Sequence, residues 1–168
     1  QRTYIYRINP PANSTKAISV KCSNQGPYEN ETLKLCNVND TTSRTCDTIP
    51  KYNFICTNTW IFIPAKIVDG VVYYYIKNSF TSEYIRSYGL GNNLKTTADA
   101  STQDNYIWRL DNNSQIKNNA CVKVTSLNIG ENVYAYGCSA DDSFERWTYT
   151  YVGDKETIWY KNKYVLEE

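Results

Sequence analysis

Residues 108–124, WRLDNNSQIKNNACVKV, and residues 133–147, VYAYGCSADDSFERW, form the stretch that decides the fold of this chain. The stretch opens on Trp108, passes through a polar, asparagine-rich turn and continues into short runs of β-branched and aromatic residues. It ends on Trp147. Short runs of this kind, bounded by Asn, Asp, Gly and Ser, are typical of β-strands joined by tight turns. The stretch therefore predicts several short strands and no long helix.

The same outline recurs along the chain, opening on Tyr6, on Trp60 and again on Trp147. From residue 6 to 60 to 108 to 147 the steps are 54, 48 and 39 residues. Many short strands predict either a β-sandwich or a β-barrel. A repeat of the whole outline favours the barrel. Three units, each with about four short strands, predict an all-β fold, a β-trefoil of three four-stranded repeats stapled by disulfides.

The unit from Trp108 to Trp147 resembles a repeat of the ricin-type (R-type lectin) β-trefoil family. In that family a Trp and a polar turn precede an Ile strand, a Cys-Leu-Asp-Val strand, a second Cys and a Gln-x-Trp. Here the corresponding residues are Ile116, the run 121–124, Cys138 and the run 145–147. The other two units match in outline only, because residues 58–60 (NTW) and 106–108 (YIW) stand in the Gln-x-Trp place. The Gln-x-Trp repeats are therefore degenerate.

The resemblance implies a role for the large aromatics and the six cysteines. One Trp from each repeat fills the core of such a trefoil near its pseudo-threefold axis, which assigns Trp60, Trp108 and Trp147 to the core. Cys121 and Cys138 stand where the family bridges the second and third strands of one repeat. The other four cysteines lie within residues 22–56. We favour Cys22–Cys36 with Cys46–Cys56, and the alternative is Cys36–Cys46 with Cys22–Cys56.

The resemblance also implies where a sugar would bind. Galactose-binding members use an Asp two residues past the first Cys, an aromatic residue ahead of the second Cys, and an Asn-Gln pair before the Trp. The third unit has Tyr136 at the aromatic position and Lys123 at the Asp position, where lysine cannot accept a hydrogen bond. The Asp positions of the second and first units hold Arg86 and Ser19. The residues predicted to bind carbohydrate are Tyr136, Tyr134, Asp141, Asp142 and Glu145. The alternative is that the two tyrosines are ordinary strand residues on a half-exposed face.

Composition excludes several classes of site. The chain has 168 residues and no histidine, so a Ser-His-Asp triad, a Cys-His dyad and a His-ligated metal are all excluded. The 18 basic and 17 acidic residues give a net charge of +1, which argues against a nucleic-acid partner or a polybasic membrane clamp. No nucleophile stands beside a base. We expect no enzyme activity, no cofactor, no metal and no direct membrane insertion.

The cysteines also predict the compartment. Six cysteines without a Cys-x-x-Cys pair favour disulfides over a zinc site. We therefore expect a secreted protein or the extracellular face of the cell surface. Four sequons are compatible with a glycoprotein, and their acceptors are Asn13, Asn30, Asn39 and Asn112.

The predicted organisation is one trefoil domain over residues 1–152, with repeats at about 1–63, 64–110 and 111–152. Residues 153–168 are predicted to be a C-terminal extension or the start of a further segment, so that the native chain is expected to be longer. The predicted function is a lectin-like module of the galactose/GalNAc class that acts in adhesion or host-cell recognition. Its expected partners are glycans or glycoproteins, with another subunit of a larger complex as a further candidate.

Two alternatives remain open at the sequence level. One is a degenerate trefoil that binds a protein partner, as a toxin or adhesin subunit scaffold. The other is a trefoil protease inhibitor, for which the long insertion from Asn37 to Asn58 offers an exposed loop.

Overall fold

The computed structural model describes residues 2–11, 13–22, 27–38, 56–156, 158–160 and 163–165. Within these ranges it contains β-strands and two short 3₁₀ turns, Asp104–Tyr106 and Ser143–Glu145. The strands are β1 (Arg2–Asn9), β2 (Lys16–Ser19), β3 (Lys34–Asn37), β4 (Trp60–Val68), β5 (Val71–Asn78), β6 (Tyr84–Arg86), β7 (Lys95–Thr97), β8 (Arg109–Leu110), β9 (Ile116–Lys117), β10 (Cys121–Lys123), β11 (Tyr134–Tyr136), β12 (Thr148–Glu156), β13 (Ile158–Tyr160) and β14 (Lys163–Val165).

Six of these strands close into a barrel. Strand β1 pairs with β12 and β4, β4 pairs with β5, and β8 pairs with β9, all antiparallel. A bridge between Tyr74 and Trp108 joins β5 to β8. The backbone N–H of Trp147 donates to Ser114 O at 2.8 Å and so brings the start of β12 beside β9. The barrel therefore uses the first and fourth strands of each repeat.

The remaining three hairpins, β2–β3, β6–β7 and β10–β11, close one end of the barrel. They meet in a ring of three backbone hydrogen bonds. Leu33 N donates to Leu94 O at 2.9 Å, Leu94 N to Val133 O at 2.8 Å, and Val133 N to Leu33 O at 3.1 Å. Each repeat therefore gives one hydrogen bond to a neighbour and receives one from the other. The architecture is a β-trefoil of three four-stranded repeats.

The core is built around one tryptophan from each repeat. Trp60 and Trp108 have no exposed surface, and Trp147 is 1 % exposed. Around them pack the inward-facing aliphatic residues of all three repeats, among them Ile18, Ile85 and Val122. These positions are apolar because strand side chains alternate between the core and the surface.

Two disulfides join described residues. Cys22 bonds to Cys36 and Cys121 bonds to Cys138, which are the pairs favoured from the sequence. The alternative that joined Cys36 to Cys46 is therefore wrong. Cys56 is disulfide-bonded, but the predicted Cys46–Cys56 pair lies outside the described residues because Cys46 does.

The C-terminal residues continue in β structure. Strand β12 crosses the predicted boundary at residue 152 and stays paired with β1 as far as Glu156, which faces Arg2. Beyond it, β13 and β14 form a hairpin. No helix in the described ranges has the length and apolar character that a membrane crossing requires.

Candidate functional site

The pseudo-threefold symmetry gives three equivalent places at which to look for a ligand. Each lies beside the last residue of a repeat's second strand, one residue after the carbonyl that accepts a hydrogen bond from the core Trp. These residues are Ser19, Arg86 and Lys123. We call the three sites the first, second and third place, after the repeat that supplies the residue. They differ in size and charge, so the three places differ in chemistry.

At the first place, the described residues leave no free polar side chain at the position that Arg86 and Lys123 occupy in the other repeats. Ser19 is fully buried, and its Oγ lies 3.0 Å from Thr57 Oγ1. At the aromatic position of the family stands Cys36, which is buried and bonded to Cys22. The hydroxyl groups of Ser19 and Thr57 therefore hydrogen-bond to each other inside the fold.

The third place gathers most of the residues predicted from the sequence. Tyr136 and Tyr134 stand on β11 with their ring centroids 5.8 Å apart. Lys123 Nζ lies 5.0 Å from the Tyr136 ring centroid and 2.6 Å from Asp142 Oδ2. The lysine therefore covers one face of Tyr136 and pairs with the carboxylate beside it.

The pair in the third place perturbs both ionisable groups. The hydrogen bond from Lys123, helped by one from Phe144 N, lowers the pKa of Asp142 below its ordinary value. The same hydrogen bond raises the pKa of Lys123 against an opposing effect of burial. Both side chains are therefore charged across the neutral range and hold each other in place.

The other two predicted acceptors are placed differently. Glu145 is 1 % exposed, and its Oε1 accepts hydrogen bonds from Ser139 N at 2.8 Å and Gln115 Nε2 at 3.2 Å. Asp141 is exposed at the turn before Asp142. Glu145 thus stabilises the loop that follows Cys138, whereas Asp141 faces solvent.

The second place opens into a cavity of about 400 Å³, which we call the Arg86 pocket. A volume of this size is in the usual range for small-ligand sites. The pocket lies where the loop after β6, the 3₁₀ turn before Trp108 and the loop before β10 meet. Its lining residues are Arg86, Ser87, Tyr88, Gly89, Leu90, Asp104, Asn105, Asn118, Asn119 and Ala120.

Internal hydrogen bonds fix the walls of the Arg86 pocket. Ser87 N donates to Asn105 O at 2.9 Å, and Asn105 Nδ2 returns a bond to Ser87 O at 3.4 Å. Asn118 holds its own loop, because its Oδ1 accepts from Ala120 N at 3.0 Å and its Nδ2 donates to Ile107 O at 3.2 Å. Because these amide groups are already held in place, they can hydrogen-bond to ligand hydroxyls without the entropy cost of being ordered on binding.

Gly89 shapes the rim of the pocket. It has φ +110°, a conformation that side chains disfavour, and a Cβ there would lie 3.2 Å from Asn92 Nδ2. Asn92 in turn donates to Tyr88 O at 2.8 Å and so holds the exposed Tyr88 at the pocket edge.

Sequence reasoning identified Arg86 as the residue at the family's Asp position but missed Tyr88, Asp104, Asn118 and Asn119. These residues come from two repeats, and nothing in a single repeat indicates that they meet. The nearest signal in the sequence is that two tyrosines, Tyr88 and Tyr106, follow the arginine at the family's Asp position within the same repeat.

A second cavity, of about 540 Å³, lies at the barrel end and is almost wholly aromatic and aliphatic. We call it the barrel-mouth cleft. Phe62 makes edge-type contacts with Tyr6, Tyr74 and Tyr149 at centroid distances of 6.0, 6.1 and 5.5 Å. The cleft is lined by Thr3, Tyr4, Tyr6, Ile61, Phe62, Ile63, Pro64, Tyr74, Leu110 and Tyr149.

Among the described residues, one group has the spacing of a metal site. A sulfur or carboxylate oxygen from each of Cys121, Cys138 and Glu145 lies within 4.8 Å of the others. The two sulfurs are bonded to each other, and a metal ligand must be a thiolate. The group is therefore a disulfide beside a buried carboxylate.

No family model and no curated protein matches this chain. Solved structures do. The chain is similar to the earthworm R-type lectin C-half in complex with GalNAc, with 10 % identity, 89 % of this chain and 99 % of that chain covered, and a TM-score of 0.60. It is similar to the Polyporus squamosus lectin bound to a human-type influenza-binding epitope, with 16 % identity, 89 % and 49 % coverage and a TM-score of 0.60. It thus spans about half the length of that lectin.

The chain is also similar to the cytolethal distending toxin of Actinobacillus actinomycetemcomitans. The identity is 14 %, the match covers 94 % of this chain and 96 % of that chain, and the TM-score is 0.57. These likenesses show the fold, which is the β-trefoil of R-type lectins.

Proposed function

We propose that this chain is a secreted or cell-surface, lectin-like module that binds carbohydrate without chemical turnover. The observation that carries the proposal is the Arg86 pocket, which lies where this fold has one of its three repeat-related sites and is rimmed by amide, carboxylate and phenol groups. Lectin complexes with the same fold, of GalNAc and of a sialylated epitope, support a glycan as the ligand.

The chemistry of the Arg86 pocket suits a sugar. Asn105 Oδ1 and Asn119 Oδ1 accept no hydrogen bond from the described residues, so both remain available to sugar hydroxyls. Tyr88 is 42 % exposed, and the part of its ring that Arg86 leaves open is the apolar surface proposed for the C–H groups of a pyranose. Glycans of the galactose/GalNAc class, in adhesion or host-cell recognition, are the proposed ligands.

A further sugar site is proposed in the third repeat, at the third place. Its residues are Tyr136, Tyr134, Asp141, Asp142 and Glu145. A sugar that stacks on the covered face of Tyr136 has to displace Lys123, which is paired with Asp142. We therefore expect the Arg86 pocket to be the stronger of the two sites.

Titration of the chain with lactose and with methyl α-GalNAc, followed by saturation-transfer NMR, tests the proposal. Saturable binding that is lost in Tyr88→Ala and kept in Tyr136→Ala assigns the ligand to the Arg86 pocket. The reverse result assigns it to the third place. The proposal fails if no glycan on a broad array binds.

Secretion is supported by the two disulfides and by the position of the sequons. Asn30 and Asn112 are exposed and Asn13 is partly exposed, whereas Asn39 lies outside the described residues. We propose that the exposed asparagines accept glycans when the chain is made in a glycosylating host. A mass shift on enzymatic deglycosylation measures this.

A protein-binding trefoil is the second candidate function, and the barrel-mouth cleft favours it. Tyr4 is 53 % exposed at its edge, and Ile67, on the adjoining β4–β5 hairpin, is 69 % exposed. Exposed tyrosine and apolar side chains are typical of protein interfaces. Cell-surface binding that survives glycosidase treatment and is lost in Tyr4→Ser would support this candidate. The protease-inhibitor alternative rests on an insertion of which residues 39–55 lie outside the described ranges.

A further inference from the structure

The guanidinium of Arg86 lies close to two tyrosine rings. Its guanidinium carbon lies 4.7 Å from the Tyr88 ring centroid and 4.6 Å from the Tyr106 ring centroid. Arginine stacks on aromatic faces through its planar, delocalised cation. Two rings at this distance restrict the motion of the guanidinium, while its N–H groups remain the part that hydrogen-bonds to a ligand.

None of the described residues neutralises the charge of Arg86. Within the described part of the chain, no oxygen accepts a hydrogen bond from Arg86 and no carboxylate forms an ion pair with it. Its Nε is buried without a partner, so a ligand approaches the Nη atoms. A guanidinium edge of this kind matches the two oxygens of a carboxylate or sulfate.

The equivalent residues of the other repeats do not offer this group. Lys123 occupies the same position in the third repeat but is paired with Asp142 at 2.6 Å. Ser19 in the first repeat is buried and uncharged. As far as the described ranges go, the second of the three equivalent positions is the one that presents a cation without an ion pair, and it does so beside a cavity.

The surrounding charges are mixed. Lys95 Nζ lies 5.8 Å from the Tyr88 ring centroid and adds a second cation near the pocket. Asp104 also lines the pocket and accepts a hydrogen bond from Asn119 Nδ2 at 3.4 Å. Two cations and one carboxylate therefore lie at or near the pocket. This excess of positive charge favours the binding of an anion.

We propose that the Arg86 pocket selects glycans that carry an anionic group, a carboxylate or a sulfate ester, over the same glycans without it. The anionic group binds the Nη edge of Arg86 while the sugar ring lies among the amides of Asn105 and Asn119. This inference rests on the proposed carbohydrate-binding function and names the class of ligand that the pocket prefers.

The test compares matched pairs of soluble glycans by isothermal titration at low ionic strength. The probes are lactose, 3′-sialyllactose, 6′-sialyllactose and 6′-sulfolactose. We expect the best anionic probe to bind about tenfold or more tightly than lactose, as one charge-assisted contact allows. This advantage should shrink as NaCl is raised, because salt screens exposed charges. The sialylated and sulfated probes show which anion is preferred.

Three variants identify the cause of the preference. Arg86→Gln should bring the ratio of anionic to neutral affinity close to one, and Arg86→Lys should keep only part of it. Lys21→Gln is the matched control, because it removes a cation that is already paired with Glu31 and lies outside both proposed sugar sites, and it should leave the ratio unchanged. Asp104→Asn should increase the ratio, since it removes the carboxylate in the pocket. Each variant is first checked for a cooperative thermal transition.

The outcomes separate the two proposals. Lactose binding equal to that of every anionic probe overturns the anion preference and leaves the carbohydrate-binding function standing. An anion preference that persists in Arg86→Gln also overturns the assignment to this residue. Failure of all four probes and of a glycan array overturns the function itself.

Discussion

The indole nitrogen of Trp147, the residue before β12, donates a hydrogen bond to the carbonyl oxygen of Val122 in the middle of β10, 2.9 Å away. Trp60 makes the same bond to Ile18 O at 2.9 Å, and Trp108 makes it to Ile85 O at 3.1 Å. Each Trp therefore fills the core and also satisfies a backbone acceptor on the second strand of its own repeat. The three bonds hold each capping hairpin to the barrel.

Replacing Trp147 with Phe should destabilise the chain by about 2–3 kcal/mol, because it removes buried volume and leaves Val122 O without its donor. Trp60→Phe and Trp108→Phe should cost similar amounts, since their environments are equivalent. Urea unfolding followed by far-UV circular dichroism measures all three. A loss below about 0.5 kcal/mol in any of them would contradict the equivalence.

Removing the Cys121–Cys138 disulfide by a double change to Ala should lower the free energy of unfolding by about 3 kcal/mol. The bond spans a sequence separation of 17, and the chain-entropy model predicts that value for a loop of this length. The Cys22–Cys36 pair spans 14 residues and should cost nearly the same. Thermal unfolding under non-reducing conditions compares the two variants, and an unchanged midpoint in either would refute the prediction.

The ion pair between Lys123 and Asp142 should make stability depend on pH at both extremes. The pKa of Asp142 is lowered, so its contribution is present above the ordinary pKa of 3.8 and is lost as the pH falls through the lower folded value. The pKa of Lys123 is raised, so its contribution is present below 10.5 and is lost as the pH rises through the higher folded value.

Asp142→Asn should therefore cost no more than about 1 kcal/mol at neutral pH, and the cost should decrease in strong acid and strong base. Asp141→Asn is the control, because this neighbouring carboxylate is exposed and forms no ion pair with the described residues. Unfolding curves from acid to alkaline pH measure the difference. Equal pH profiles for the two variants would argue against the pair.

Gly70→Ala should destabilise the chain by about 1 kcal/mol, because Gly70 has φ +78° in the turn between β4 and β5 and a Cβ is disfavoured there. Gly137→Ala is the matched control. It also has open space around a new Cβ, but its backbone is outside the left-handed region, so its cost should stay within about 0.5 kcal/mol. Equal losses would show that backbone conformation is not the cause.

The fold could be predicted from the sequence because its determinants are local. Trp108, the run 121–124 and Trp147 each carry their own signal, and their order along one repeat is enough to identify the trefoil. The Cys121–Cys138 bond follows from the same repeat. Alternation of apolar and polar residues then sets which side chains enter the core.

The site was harder to predict because its parts belong to different repeats. Arg86 could be recognised as a substitution at the family's Asp position, but the two rings beside it come from a loop and a 3₁₀ turn that the sequence does not place together. The burial of Glu145 is a similar case. Its partners Gln115 and Ser139 are 30 and 6 residues away, so its internal role becomes visible only in the folded chain.

The three backbone hydrogen bonds among Leu33, Leu94 and Val133 form a closed cycle, in which each residue is both a donor and an acceptor. Arg2 and Glu156 face each other across β1 and β12, so a short linker can join them and the chain can be opened elsewhere, for example at the tip of the β4–β5 hairpin. Such a circular permutant keeps every bond of the ring. The contacts that hold the three repeats together therefore do not depend on which repeat comes first along the chain.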